Sequence, residues 1–275
     1  MMDLRLTPAN ARVAASALKG RVDAPTYVEG VLKSVVQPLV NLCVAPNGSR
    51  TRQLLLGAQV TVFEEHEGWA FVQAADGYVG YIQAAALGPC MAVTYFVATP
   101  ATHAYLAEDF KSPDLMRLSF GARVAVLDER QKYFETPQGF IPKKHLRPIA
   151  QPFSDPVTVA QLHFGVPYLW GGNAIDGIDC SGLVAASLLA CGIPCPADSD
   201  MQQAQLGARL DQDAGHKRGD LVFWKGHVGL MVDEHTLIHA NAHHMSTVYE
   251  PIDRAILRIA TQGDGEVLIR KRLAT

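Results

Sequence analysis

The chain is 275 residues long, with 48% hydrophobic and 19% charged residues and a formal net charge of −3 from 24 basic and 27 acidic side chains. So much apolar material excludes a chain disordered throughout, and at roughly 150 residues per domain the length implies about two domains, or three if some are small. The near-neutral balance, with no block of like charge, speaks against nucleic acid as a partner.

In chain order, residues 1-34 come first, an N-terminal extension with a short helix expected around Val13 to Leu18. It carries Asp3, Arg5 and Arg12 and lacks the apolar run of a secretory signal. The longest stretch free of Asp, Glu, Lys and Arg, from Gly77 to Ala107, is broken by glycines, Pro89 and Pro100, so no membrane span is expected. The cysteines Cys43, Cys90, Cys180, Cys191 and Cys195 are odd in number, which is not how a disulfide framework reads. A reduced, cytoplasmic protein is the expectation.

Two segments repeat one another. Gly57-Ala-Gln-Val-Thr-Val62 returns as Gly121-Ala-Arg-Val-Ala-Val126, each followed by an acidic turn (Glu64-Glu65, Asp128-Glu129) and aromatics (Trp69/Phe71, Tyr133/Phe134). Each closes on a Gly-aromatic-Ile phrase, Gly80-Tyr81-Ile82 and Gly139-Phe140-Ile141. Alternating Val60/Val62 and Val124/Val126 have the period of half-buried strands, and modules this small bury their edges best as barrels. The two modules are expected over 35-89 and 90-149, with Trp69, Phe71 and Tyr133 as barrel core.

Prolines 148, 152 and 156 then mark a linker, and the texture changes. Asp155-Pro156 reads as a helix cap with proline at the first helical position, and Val157, Ala160, Leu162 and Phe164 as the apolar side. A second helix is expected from about Ser181 to Cys191, burying Leu183, Val184, Leu188 and Leu189 and stopped by Gly192. Strand-like runs follow at 221-224, 227-232, 236-241 and 267-270. Helices first and strands later give an α+β domain over 150-275.

The chemistry concentrates in that domain. A glycine-rich loop, Tyr168-Leu-Trp-Gly-Gly-Asn-Ala-Ile-Asp-Gly-Ile, delivers Asp179, Cys180, Ser181 and Gly182 to the start of a helix. Unpaired N–H groups there favour a thiolate and can receive an oxyanion, and Asp179 can cap the helix. A nucleophile needs a base, and the base something to hold its tautomer. His227, after Gly-Asp-Leu-Val-Phe-Trp-Lys-Gly, and His239, in Leu-Ile-His-Ala, supply both in order. A lone cysteine is ordinarily a small buried hydrophobe; the two histidines weigh against that here.

These three motifs resemble the NlpC family of papain-like bacterial cell-wall cysteine peptidases, over roughly 155-273. The upstream repeats resemble bacterial SH3-like barrels. The resemblance implies a papain-like peptidase domain behind two small all-β barrels, in the order of cytoplasmic γ-D-glutamyl-L-diamino acid endopeptidases of murein recycling. It implies Cys180 as nucleophile, His227 as general base and acid, His239 as the group orienting His227, and Tyr168 beside the oxyanion. It further implies Asp179 and Ser181 at the substrate's free amino terminus, Ser199 lining the substrate site, and Tyr78, with Tyr81 second, closing that end. Relatives also use a barrel carboxylate for the amine; the matching stretch Asn47-Gly-Ser-Arg-Thr-Arg-Gln53 has no acid.

The implied reaction is hydrolysis of the bond between γ-D-glutamate and L-lysine or meso-diaminopimelate, both open, in short peptides with a free N-terminal L-alanine. The alternatives are an amidase or acyltransferase on another amide or ester, and a non-catalytic wall-binding protein, which has no need of the triad. No cofactor or metal is called for. His239, His243 and His244, with Asp176 and Asp179, lack the paired Cys or Cys/His spacing of structural zinc, and His243-His244 read as a turn. Cys191 and Cys195 flank a helix stop and loop, not a redox motif. His216-Lys-Arg218 reads as a solvated turn.

Overall fold

The computed structural model describes residues 2–211 and 213–273, so residue 1, Gln212 and the last two positions of the expected 150-275 domain lie outside it. The chain divides into two compact units, Met1–Ala150 and Gln151–Thr275.

The first unit is almost wholly β. Its larger sheet has seven strands in the order Arg50–Leu55, Leu39–Cys43, Val79–Gln83, Trp69–Ala74, Gln59–His66, Val31–Val35 and Leu87–Pro89, each pair antiparallel. A five-stranded sheet and a three-stranded one, which includes Tyr95–Val97 and Leu146–Pro148, follow. The sequence repeat is a backbone repeat. Gly57 and Gly121 both take positive φ, +75° and +83°, and their N–H groups donate to the carbonyls of Val35 and Val97. Val60 and Val124 are buried, as are Ile82 and Ile141, and each module ends in a 3-10 turn, Ala84–Ala86 or Lys143–His145.

Four local expectations for this unit need correction. Residues 13–18 are not a helix: Val13–Ala15 is a strand pairing in parallel with Thr26–Val28, followed by a 3-10 turn. The extension does not end at residue 34 either, because Val31–Val35 is one strand of the seven-stranded sheet. Tertiary pairing overrides an alanine-rich local preference here. The acidic pairs lie within strands Gln59–His66 and Asp128–Glu129, and the first turn falls instead at Glu67-Gly68, both with positive φ. Phe71 and Tyr133 are core, whereas Trp69 is only partly buried.

At the seam of the repeat the two modules interlock. Leu56 is buried among Val97, Leu118, Ala122 and Phe134. Arg123 N–H donates to Leu56 O at 2.9 Å, and a Cβ on Gly57 would lie 2.3 Å from Arg123 O. Only glycine permits that approach.

The second unit folds as six antiparallel strands ordered Ala208–Arg209, Ile269–Arg272, Leu221–Trp224, His227–Met231, Thr236–Asn241 and Ser246–Pro251. The helices are α1 (Pro156–Gln161), α2 (Cys180–Ala190), α3 (Ser199–Gln205) and α4 (Ile252–Gln262). Asp155 caps α1, accepting from the N–H groups of Val157 and Thr158, with Pro156 at its first position. One face of the sheet, Leu221, Phe223, Val228, Leu230, Ile238 and Ala240, packs on Leu183, Val184 and Leu188 of α2. Fully burying one such side chain contributes about 1.5–3 kcal/mol. The alternate residues Val222, Trp224, Met231 and Leu237 pack on Ile252, Ala255 and Ile259 of α4, as the pleat requires. Leu189 and Phe164, expected inside, are exposed; Phe164 lies beyond α1 and stacks on Tyr249, ring centroids 5.0 Å apart.

Candidate active site

Cys180, the candidate nucleophile, sits where a loop becomes a helix. Asp179 caps α2: Oδ1 accepts from Gly182 N–H at 2.7 Å and Ser181 Oγ at 2.9 Å, and Oδ2 accepts from Gly171 N–H at 2.8 Å. A Cβ on Gly182 would lie 2.4 Å from Gly172 O, so the small residues of both motifs allow loop and helix to touch. Cys180 is thereby fixed as the first residue of α2.

Cys180 Sγ lies 4.0 Å from Gly226 O, in the hairpin turn that leads into His227. The N–H groups of Val228, Ser181 and Cys180 favour the thiolate, but burial outweighs them and the Asp179 charge adds to it, pushing the thiol up to about 12. The helix start alone therefore does not give a resting thiolate. Ionisation requires a base.

His227 Nε2 is 2.9 Å from His239 Nδ1. Burial holds His227 down to about 3, with the neighbouring His239 and Arg258 adding to the effect against Glu250. The His239 side chain has no exposed surface, and burial lowers it as well. Both rings are neutral bases at neutral pH. Tyr168, whose N–H donates to Met245 O, is pushed up to about 12 by burial and then by Cys180 and Asp179, so its hydroxyl stays a donor.

Two residues escaped the sequence reading. His239 Nε2 lies 3.0 Å from Glu250 Oε2, and Arg258 grips the same carboxylate, Nε to Oε1 at 2.9 Å and Nη2 to Oε2 at 2.8 Å. Burial alone would raise Glu250, but the bonds from Arg258 and then His239 hold it well below the usual carboxylate range. The available signal was the spacing Ile252, Ala255, Ile256, Ile259 after Pro251, which marks an amphipathic helix.

His239, His244 and Glu250 lie close enough to hold a cation among the described residues. The donors do not suit one. Glu250 already carries a guanidinium on both oxygens, and both ring nitrogens of His239 are engaged. His243 and His244 lie in the turn before Ser246–Pro251, as expected, and Arg218 of the basic triplet pairs with Asp155 at 2.7 Å.

Ser199 opens α3, and Gln202 one turn on donates from Nε2 to Ser181 O at 2.9 Å and to Pro196 O at 3.0 Å, which ties α3 to the first turn of α2. Tyr78 and Tyr81 belong to the other unit. Tyr78 is buried, its ring 5.7 Å from the Arg52 guanidinium, and its N–H donates to Asp76, which pairs with Arg52. Tyr81 packs on Phe71 with ring centroids 5.1 Å apart. No described helix is long and apolar enough to cross a membrane.

Comparison with known proteins follows this division. Residues 165–261 match the NlpC/P60 family, and residues 42–87 match the bacterial dipeptidyl-peptidase SH3 domain. The chain is 27% identical over 216 residues to the gamma-D-glutamyl-L-lysine dipeptidyl-peptidase of Bacillus subtilis (strain 168), covering 68% of this chain and 71% of that protein. It is 34% identical over 85 residues to dipeptidyl-peptidase 6 of Lysinibacillus sphaericus, 31% of each chain. A crystal structure of an NlpC/P60 family protein from Bacillus cereus ATCC 10987 shares the fold, with a TM-score of 0.73 at 20% identity over 89% of this chain and 100% of that one.

Proposed function

From the premise that the chain is a peptidase, carrying an NlpC/P60 domain and a bacterial dipeptidyl-peptidase SH3 domain, we propose that it is a cysteine peptidase of murein-peptide recycling in the cytoplasm. It hydrolyses the bond between γ-D-glutamate and L-lysine or meso-diaminopimelate in peptides with a free N-terminal L-alanine, and residues 90-149 are a second SH3-like module. The observation that carries the reading is the juxtaposition at the start of α2: Cys180 lies against Gly226, in the turn that leads into His227, and His227 lies 2.9 Å from His239.

His227 Nδ1, the nitrogen not facing His239, takes the Sγ proton as sulfur attacks the γ-carbonyl carbon. The carbonyl electrons move to oxygen, where the Cys180 N–H and the Tyr168 hydroxyl stabilise the charge. Collapse breaks the C–N bond, and His227 returns the proton to the departing amine of the diamino acid. Water, deprotonated by His227, then attacks the thioester, releasing L-Ala-γ-D-Glu and restoring the thiol.

The amine preference is supported by the charge around Asp179. Burial raises this carboxyl, the Asp198 charge adds to it, and its three hydrogen-bond donors are all neutral. A substrate ammonium would supply the missing positive charge, with the Ser181 hydroxyl already on the same carboxylate and Ser199 at the start of α3 as a further partner. The relatives named gamma-D-glutamyl-L-lysine dipeptidyl-peptidase support the substrate class, and five free thiols suit a reducing compartment.

The test is incubation with L-Ala-γ-D-Glu-L-Lys, its meso-diaminopimelate counterpart and both N-acetylated forms, with Cys180→Ala as control and products read by mass spectrometry. Release of L-Ala-γ-D-Glu from the free-amine peptides alone, absent in the variant, is the expected result. Equal cleavage of the acetylated forms removes the amine claim, and no cleavage of any form removes the substrate.

A further inference from the structure

We propose that Glu250 is a positioning residue that fixes which nitrogen of each histidine carries the proton, and that Arg258 holds it in place to do so. The inference rests on the reading of Cys180, His227 and His239 as the catalytic set.

Hydrogen-bond polarity passes along one chain of contacts, from Arg258 to His227. A guanidinium only donates, and an ionised carboxylate only accepts. Arg258 meets Glu250 through two bonds, 2.9 and 2.8 Å, a paired geometry that favours the ionised acid. Glu250 Oε2 then faces His239 Nε2 at 3.0 Å, so that nitrogen carries the hydrogen. Because a neutral imidazole has one N–H, His239 Nδ1 is left as an acceptor. The 2.9 Å contact to His227 Nε2 therefore needs its hydrogen on His227. His227 Nδ1 is left bare, the form required to take a proton from Cys180.

Without the carboxylate, the pair of imidazoles has two orders. In the second, His239 Nδ1–H donates to His227 Nε2, and His227 carries its hydrogen on Nδ1, where it cannot accept one. The histidines thus have the right shape in either order, and Glu250 selects the competent one. Position supports this. His239 has no exposed side-chain surface and Glu250 10%, so water does not readily replace the carboxylate. Arg258 rises from α4, whose Ile252, Ala255 and Ile259 are packed on the sheet, so the guanidinium is anchored by a rigid element.

Glu250→Gln tests it with little change of shape. The amide oxygen turns to Arg258, the NH2 group turns to His239 Nε2, and the order along the chain reverses. On L-Ala-γ-D-Glu-L-Lys, kcat is expected to fall by roughly 10²–10⁴-fold, on the scale of a wrong-tautomer triad, with KM within about threefold. Alkylation of Cys180 by iodoacetamide at neutral pH, which needs no peptide substrate, should slow in parallel.

Nitrogen-15 NMR of the histidine rings gives the direct readout: hydrogen on Nε2 of both His227 and His239 in the native protein, and on Nδ1 of both in the variant. Native His227 with hydrogen on Nδ1, or a folded Glu250→Gln protein retaining kcat within threefold, overturns the inference. Should the variant not fold, the native spectrum decides alone. Failure of the peptide to be cleaved by native protein would strike the substrate reading, while alkylation and the spectrum still decide the role of Glu250.

Discussion

On the face of the six-stranded sheet that meets α2, Leu221, Phe223, Val228, Leu230, Ile238 and Ala240 pack on Leu183, Val184 and Leu188; on the face that meets α4, the same sheet carries His239 and Glu250 alongside Val222, Trp224 and Met231. The first face is stabilised by area removed from water, which is non-directional and tolerant of shape. The second includes a line of hydrogen bonds in which each donor must meet an acceptor. One sheet therefore holds a region that responds to volume and a region that responds to polarity.

The contrast can be attacked in order of expected effect. Cys180→Ala, at the edge of both regions, should lower kcat by roughly 10⁴-fold or more while thermal unfolding barely moves. Leu188→Ala, a fully buried position on the α2 face, should cost about 2–5 kcal/mol in urea denaturation while the folded fraction keeps its kcat. Arg258→Gln should do the reverse, lowering kcat by about 10–100-fold, the scale seen when outer partners of a site residue are lost, with a smaller loss of stability. The smallest effect is expected for Leu188→Met, under about 1.5 kcal/mol and silent in kcat. Equal kcat losses from Leu188→Ala and Arg258→Gln would remove the distinction between the faces.

Acid offers a further test. Burial lowers His163, His227 and His239, so the unfolded chain takes up protons before the folded one does. The stability these neutral rings contribute is complete above the unfolded value of about 6.5 and declines as pH falls below it. Glu250, lowered by Arg258 and His239 against its burial, contributes above the ordinary carboxylate value and loses that contribution only in stronger acid. The urea midpoint should therefore fall between pH 7.5 and 5, before any carboxylate step. A midpoint flat across that interval would contradict the assignment.

What the sequence revealed follows the same divide. α2, its glycine stop and the strands through Trp224 and Asn241 were legible because apolar period and punctuation are local. Cys180, His227 and His239 were legible as candidates because each stands in a short motif of its own, Asp-Cys-Ser-Gly, Gly-His-Val-Gly and Ile-His-Ala. Glu250 and Arg258 were not, because their bond joins a strand to the helix after it and neither sits in a motif. The stretch 13–18 failed for a related reason: its partner is Thr26–Val28, and no feature of its own residues announces a parallel pair. The state of Cys180 was also beyond reach, since burial and Asp179 oppose the helix start.

The seam in the first unit has a consequence for how such chains can change. Leu56 comes from one copy of the repeat and is buried in the core of the other, and Gly57 admits no side chain against Arg123. Cutting the chain between the copies would expose one module's leucine and open the other's core. Residues 1–150 therefore form one cooperative block, whose halves cannot be separated without uncovering apolar surface in both.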